Sequence, residues 1–243
     1  MSVNQNSSPD VNSLTPEWRQ HIRQDVQSMH AYAIQNSSGM VKLDAMENPF
    51  GLSPELQSEL GKRLGALALN RYPGDRVNDL RQALAQYAQM PEGFGIMLGN
   101  GSDELISLVS MACDVPGAHF VAPVPGFVMY AMSAQLQGIQ FQGVPLTANF
   151  ELDEAAMLAA IAQYKPAVVY LAYPNNPTGT LWDADVIERI VVAQGQQGGL
   201  IVMDEAYQPF ASQTYMDRIV RHGHVLLMRT LSKFGLAGVR LGY

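Results

Sequence analysis

The chain has 243 residues, 47% of them hydrophobic and 15% charged, which suffices for one substantial domain, or one and part of another, and argues against wholesale disorder. A net charge of −7 argues against nucleic acid as the main partner, because phosphate backbones demand clustered Lys and Arg. The single cysteine, Cys113, excludes an internal disulfide framework and fits a reducing compartment.

Residues 1–13 are rich in Asn, Ser, Gln and Pro and are expected to be a disordered tail. They carry neither a basic nor an apolar segment of the secretory type, and no apolar run reaches membrane-spanning length, so the chain is expected to be cytoplasmic. Residues 14–45 read as a helical N-terminal arm. Its helix would start at Thr15 with Pro16 in the first turn, and Trp18, Ile22, Val26 and Met29 recur at helical spacing. A second helix opens at Ser53-Pro54 and repeats Leu56, Leu60 and Leu64. A third runs from about Asp75 to Gln89, with Val77, Leu80, Leu84 and Tyr87 on one face, and stops before Pro91.

Short apolar runs then alternate with helical stretches. Strands are expected at Ile96–Leu98, His119–Ala122, Ile139–Val144, Ala167–Ala172, Leu200–Met203 and Val225–Met228. Helices are expected near 102–113, 127–136, 153–163, 184–194 and 214–221. Runs such as Val168-Val169-Tyr170-Leu171 are apolar at successive positions, which a strand buried on both faces requires. The fold class is therefore α/β: three layers, α/β/α, around a mostly parallel sheet. His222 and His224 could share a strand face, but two solvated surface histidines are the favoured reading, and no metal-ligand pattern stands out.

In open α/β sheets ligands sit beyond the carboxyl ends of the strands, and four such junctions are unusual. Gly99-Asn100-Gly101-Ser102-Asp103-Glu104 permits a tight backbone path, with Ser102 as a good N-cap and first-turn amides suited to phosphate. By itself a capped helix start is the better reading there. Tyr173-Pro174-Asn175-Asn176-Pro177-Thr178-Gly179 is longer and more specific than a turn needs. Asp204 follows four apolar residues, so its buried carboxylate calls for an arginine or for a protonated ligand nitrogen. Tyr207 can aim a phenol at the same place. Lys233, in Thr230-Leu231-Ser232-Lys233, stands beyond a strand among small and apolar residues, where its pKa could fall enough to make it an amine nucleophile. An amine, a buried acid, polar donors and a phosphate cradle are together what pyridoxal phosphate requires.

With these residues in place, the chain resembles the fold-type-I pyridoxal-phosphate aminotransferases, and among them the histidinol-phosphate type. The matching stretches are Glu47-Asn48-Pro49-Phe50-Gly51, Arg71-Tyr72-Pro73, Gly101-Ser102-Asp103-Glu104, Pro125-Gly126-Phe127, Asn175-Asn176-Pro177-Thr178-Gly179, Asp204-Glu205-Ala206-Tyr207, Ser232-Lys233 and Gly238-Val239-Arg240-Leu241-Gly242-Tyr243. The resemblance implies that residues 46–243 are the cofactor-binding large domain. It implies that Lys233 holds the cofactor and shuttles the proton, and that Asp204 keeps the pyridine nitrogen protonated. Asn176 and Tyr207 would bond the ring hydroxyl oxygen, and Phe127 would stack on the ring where many relatives place a tyrosine. Ser102, Asp103, Ser232 and Arg240 would bind phosphate, Tyr72 would reach the phosphate of a partner in a homodimer, and Asn48 would approach the substrate. The implied reaction moves an amino group from glutamate to imidazole-acetol phosphate in histidine biosynthesis. The alternatives are another enzyme of the same fold, such as an aromatic aminotransferase or a threonine-phosphate decarboxylase, or an inert remnant. Family members continue for roughly another hundred residues, about the size of a small domain. That part supplies an arginine for the substrate carboxylate, so the expectation is a chain lacking the C-terminal small domain, poorly soluble or without turnover by itself.

Overall fold

The computed structural model describes residues 16–29, 38–42 and 45–243. The expected disordered tail and the expected helix start at Thr15 lie outside the described residues. The chain divides into two compact units, Met1–Asn36 and Ser37–Tyr243.

In the first unit the single expected helix is broken. A 3-10 turn, Pro16–His21, is followed by a four-residue helix α1, Gln24–Gln27. Arg23 between them is extended, with φ −54° and ψ 138°. A short helix gains most of its stability by burying an apolar face, and α1 buries none of its residues.

The second unit opens with α2 (Pro54–Gly65) and α3 (Arg76–Ala88). Ser53 caps α2 by accepting the Leu56 N–H at 3.3 Å, and Pro54 occupies its first turn. The expected leucine stripe is present but faces outward: Leu56, Leu60 and Leu64 are 58%, 42% and 51% exposed. On α3, Leu84 and Ala88 are buried while Leu80 and Tyr87 are exposed. Gln89 ends that helix in the left-handed region, before Pro91.

Five parallel strands follow: β1 (His119–Val124), β2 (Gln140–Pro145), β3 (Val168–Ala172), β4 (Leu200–Asp204) and β5 (Val225–Met228). They pair in the order β2-β1-β3-β4-β5. All five residues of β3 are buried, as a strand covered on both faces must be. Four further helices supply the cover: α4 (Ser102–Ala112), α5 (Val128–Gln137), α6 (Glu154–Tyr164) and α7 (Ala184–Gln196). Successive side chains of a strand point to opposite faces, and the two halves of the core obey that rule. Val169, Leu171, Ile201 and Met203 pack with Met157 and Ile161 of α6 and Ile187 and Ile190 of α7. Val168, Tyr170 and Val202 pack with Leu105 and Ile106 of α4 and Tyr130 and Ala134 of α5. This is the expected three-layer α/β/α arrangement.

Three local expectations are corrected. Ile96–Leu98 is not a strand. The last three residues of the chain stand between that segment and the end of β5: Gly242 exchanges hydrogen bonds with Gly99, Tyr243 with Arg229, and Leu231 donates to Leu241. Ile96–Leu98 is thereby held off the sheet, and an apolar cavity of about 200 Å³ separates Phe94–Met97 from Val225–Met228. The expected helix at 214–221 is a 3-10 turn, Met216–Arg221. His222 and His224 are partly buried rather than fully solvated, and α7 offers them acceptors. His222 Nε2 lies 2.6 Å from Glu188 Oε1, and His224 Nε2 lies 2.9 Å from the Val191 carbonyl. Among the described residues no helix is long and apolar enough to cross a membrane.

Candidate active site

Three of the four junctions follow the strands β3, β4 and β5, and the fourth, Gly99–Glu104, is bridged at Gly99 to Gly242. Asp204 closes β4 and is 4% exposed. Its Oδ2 accepts the Tyr130 hydroxyl at 2.7 Å, and its Oδ1 accepts the Ala206 N–H at 3.0 Å. Burial pushes the carboxyl up to about 6, with Asp103 and Glu205 adding to the rise while the two hydrogen bonds oppose it. No arginine pairs with Asp204 among the described residues. Arg229 pairs instead with Glu205, 2.8 Å away, and Glu205 also accepts from the Thr214 hydroxyl and the Tyr215 N–H. Neighbouring residues of a strand face opposite ways, so Glu205 takes the cation and Asp204 keeps only neutral donors.

Lys233 follows β5 in a π-type turn, Ser232–Leu236. Its Nζ donates to the Ala45 carbonyl at 3.3 Å and lies 5.3 Å from the centre of the Tyr207 ring. Burial pulls the ammonium below the usual lysine range and Arg240 acts the same way, while Asp103, Glu47 and Asp204 pull it back up. Gly235, at φ 128°, makes the turn possible. Asn48 ties down the next residue by donating from Nδ2 to the Phe234 carbonyl at 3.2 Å. Ser232 is buried and donates its N–H to Thr230 Oγ1, which in turn donates to Ser232 Oγ.

At the start of α4 the expected cap is corrected. Ser102 is the first helical residue, and Gly101 is the cap, with φ 81° and ψ 176°. That backbone is reserved for glycine, and a Cβ there would stand 2.6 Å from Arg240 Nη2. Arg240 Nη2 is also 3.7 Å from Asp103 Oδ2. A guanidinium thus leans over a helix N-terminus, where backbone donors and the helix dipole favour an anion.

In the loop after β3, the asparagine that fixes the backbone is Asn175. It is buried and donates to the Pro125 carbonyl at 3.2 Å and to Thr178 Oγ1 at 2.8 Å. Asn176 beside it is partly buried. Phe127 precedes α5 and meets Tyr130 edge-on, ring centres 5.6 Å apart. Tyr72 is 99% exposed. Asp103, Asp204, Tyr207, Lys233 and Arg240 are therefore linked by mutual contacts or charge effects, and Asn48 touches the lysine turn. Sequence reasoning missed Tyr130. Its one available signal was its place three residues after Phe127, one turn along α5.

A family model described as aminotransferase class I and II matches residues 38–243. The chain is 74% identical over 237 residues to a histidinol-phosphate aminotransferase of Polaromonas naphthalenivorans, covering 98% of this chain and 65% of that protein. It is 68% identical over 238 residues to one of Methylibium petroleiphilum, covering 98% and 64%. The solved structure of histidinol-phosphate aminotransferase from Sinorhizobium meliloti, in complex with pyridoxal-5'-phosphate, is similar with a TM-score of 0.75 and 26% identity, over 97% of this chain and 63% of that one. The chain spans just under two thirds of the length of the curated relatives it matches.

Proposed function

Because the chain belongs to the aminotransferase class I and II family, we propose that it holds pyridoxal phosphate on Lys233 and transfers the amino group of glutamate to imidazole-acetol phosphate, giving histidinol phosphate and 2-oxoglutarate in histidine biosynthesis. The observation that carries this reading is Asp204. It is a fully buried carboxylate hydrogen-bonded to a phenol and an amide, with no cation at ion-pair distance among the described residues. A protonated pyridine nitrogen supplies the missing charge, so the residues present fit the cofactor. The choice of substrate is supported by the names of the relatives 74% and 68% identical.

When bound, pyridoxal phosphate supplies an electron sink that acidifies the substrate's α-C–H bond. Asp204 keeps a proton on the ring nitrogen. Lys233, with its pKa lowered by burial, is the amine that would hold the cofactor and would carry the proton taken from the substrate carbon. Asn176 and Tyr207 donate to the ring hydroxyl oxygen, and Phe127 packs against the ring. Ser102, Asp103, Ser232 and Arg240 hold the phosphate, Ser102 and Asp103 partly through backbone amides of α4. Asn48, bonded to the Phe234 carbonyl of the lysine turn, faces the substrate. In this reading residues 46–243 are the cofactor domain and 14–45 the arm.

Assembly as a homodimer, with Tyr72 serving the partner's phosphate, is supported by exposed Phe50, Leu56, Leu60, Leu64 and Tyr72 on one run of chain. The same reading puts the enzyme in the cytoplasm. The test is amino transfer by this chain extended with a relative's C-terminal portion: histidinol phosphate should form from imidazole-acetol phosphate only when glutamate is supplied. A preference for aromatic keto acids, or release of carbon dioxide from threonine phosphate, would overturn the substrate.

A further inference from the structure

We propose that Tyr130 is a positioning residue of this site: its hydroxyl holds the Asp204 carboxylate in place and favours its charged form. The inference rests on the reading of Asp204 as the partner of a ring nitrogen, but its first test needs no cofactor.

Tyr130 lies in the first turn of α5 and is 2% exposed. It donates a well-formed hydrogen bond of 2.7 Å to Asp204 Oδ2. The ring cannot swing away. Tyr170 stacks on it with centres 4.4 Å apart and planes 12° apart, and Phe127 meets it edge-on. Ala206 N–H holds the other oxygen. Two donors from different segments, α5 and the loop after β4, therefore fix the carboxylate plane, and each oxygen retains a lone pair for a ligand. Tyr130 stays a donor, because burial and the adjacent Asp204 push its own ionisation well above the usual tyrosine range.

The other groups around Asp204 do not replace it. Asp103 on α4 and Glu205 next in the chain are like charges that favour the neutral acid. Glu205 is bound to Arg229. Lys233, beyond β5, acts on Asp204 only through charge. Tyr170 meets Tyr130 through its ring face, and the Tyr207 ring lies beside the Lys233 ammonium. A hydrogen bond to a charged group stabilises the charge by an amount equivalent to about one to two pKa units. Removing the phenol should raise the Asp204 midpoint by that much.

The experiment follows the carboxyl stretch of protonated Asp204 by difference infrared spectroscopy in the cofactor-free protein, with Asp204→Asn identifying the band. Tyr130→Phe preserves the stacked ring and should shift the midpoint up by about one to two pH units. Tyr170→Phe, on the other face of the stack, should leave it in place. Site-specific incorporation of 3-fluorotyrosine at position 130, a stronger donor that folds like the parent, should shift the midpoint down. The pH below which pyridoxal phosphate affinity falls should move with the same midpoint. A Tyr130→Phe midpoint equal to the parent's, or a fluorotyrosine protein with no downward shift, overturns the proposal. Failure of the parent to bind pyridoxal phosphate, with the midpoints behaving as described, overturns the cofactor reading and leaves the Tyr130–Asp204 coupling standing.

Discussion

At Asp204 the fold holds a carboxyl whose pKa is raised from an ordinary 3.8 to about 6. The folded protein then binds more protons than the unfolded chain between those values, so stability falls as pH rises through that window. The shift corresponds to ~3 kcal/mol at about 1.4 kcal/mol per pH unit. The cofactor-free protein should lose that increment between pH 4 and 6.5, and Asp204→Asn should abolish the slope and be the more stable protein at pH 7. Denaturant midpoints at pH 4.5, 5.5 and 7 measure it, and parallel curves for the two proteins would contradict the burial argument. Lys233 shifts the opposite way in sense, as a cation disfavoured by burial, and should react with acylating reagents at lower pH than the surface lysines. The burial of Asp204 was legible because it sits immediately beyond an apolar run, and that of Lys233 because small and apolar residues flank it. Tyr130 was not, since it lies 74 positions from its partner and only the packing of α5 on the sheet brings the two together.

Between elements, the buried Arg229–Glu205 pair joins the ends of β4 and β5 and, through Thr214 and Tyr215, the loop before the 3-10 turn. Truncating one side leaves a buried charge unmatched, so Arg229→Met should cost about 3–5 kcal/mol, read by denaturant unfolding. A loss under about 1 kcal/mol would mean that Glu205 finds another partner. Gly101→Ala should cost about 1–3 kcal/mol from its backbone alone. It should also displace Arg240 and weaken binding of phosphate-bearing ligands, measurable by calorimetry with pyridoxal phosphate against pyridoxal. Elements were legible where an apolar period met a cap, as at Ser53-Pro54 and Asp183, whose side chain accepts from the second and third residues after it. They were misjudged where pairing decides. Ile96–Leu98 has strand composition but no ladder, because Leu241–Tyr243 bond the neighbouring backbone. Trp18 to Met29 has helical spacing but no buried face in α1.

For the whole molecule, the unbroken apolar runs of β3 and β4 made a three-layer sheet readable from the sequence. The outward leucines of α2 were not readable, since spacing shows which residues share a face and not what that face meets. Leu56, Leu60 and Leu64 with Tyr72 make a two-fold dimer the expected state. Leu60→Glu should shift the protein toward monomer in sedimentation equilibrium. Mixing Tyr72→Phe chains with Lys233→Ala chains should restore one intact site per heterodimer. Verified heterodimers no more active than either parent would place Tyr72 outside the partner's site.

Lys233 as the amine that holds the cofactor is decided by peptide mapping after borohydride reduction. The protein mixed with pyridoxal phosphate and reduced should carry one phosphopyridoxyl group, on the peptide containing Ser232-Lys233-Phe234, and Lys233→Ala should carry none. Label on another lysine, or spread over several while Lys233 stays unmodified, would contradict the account.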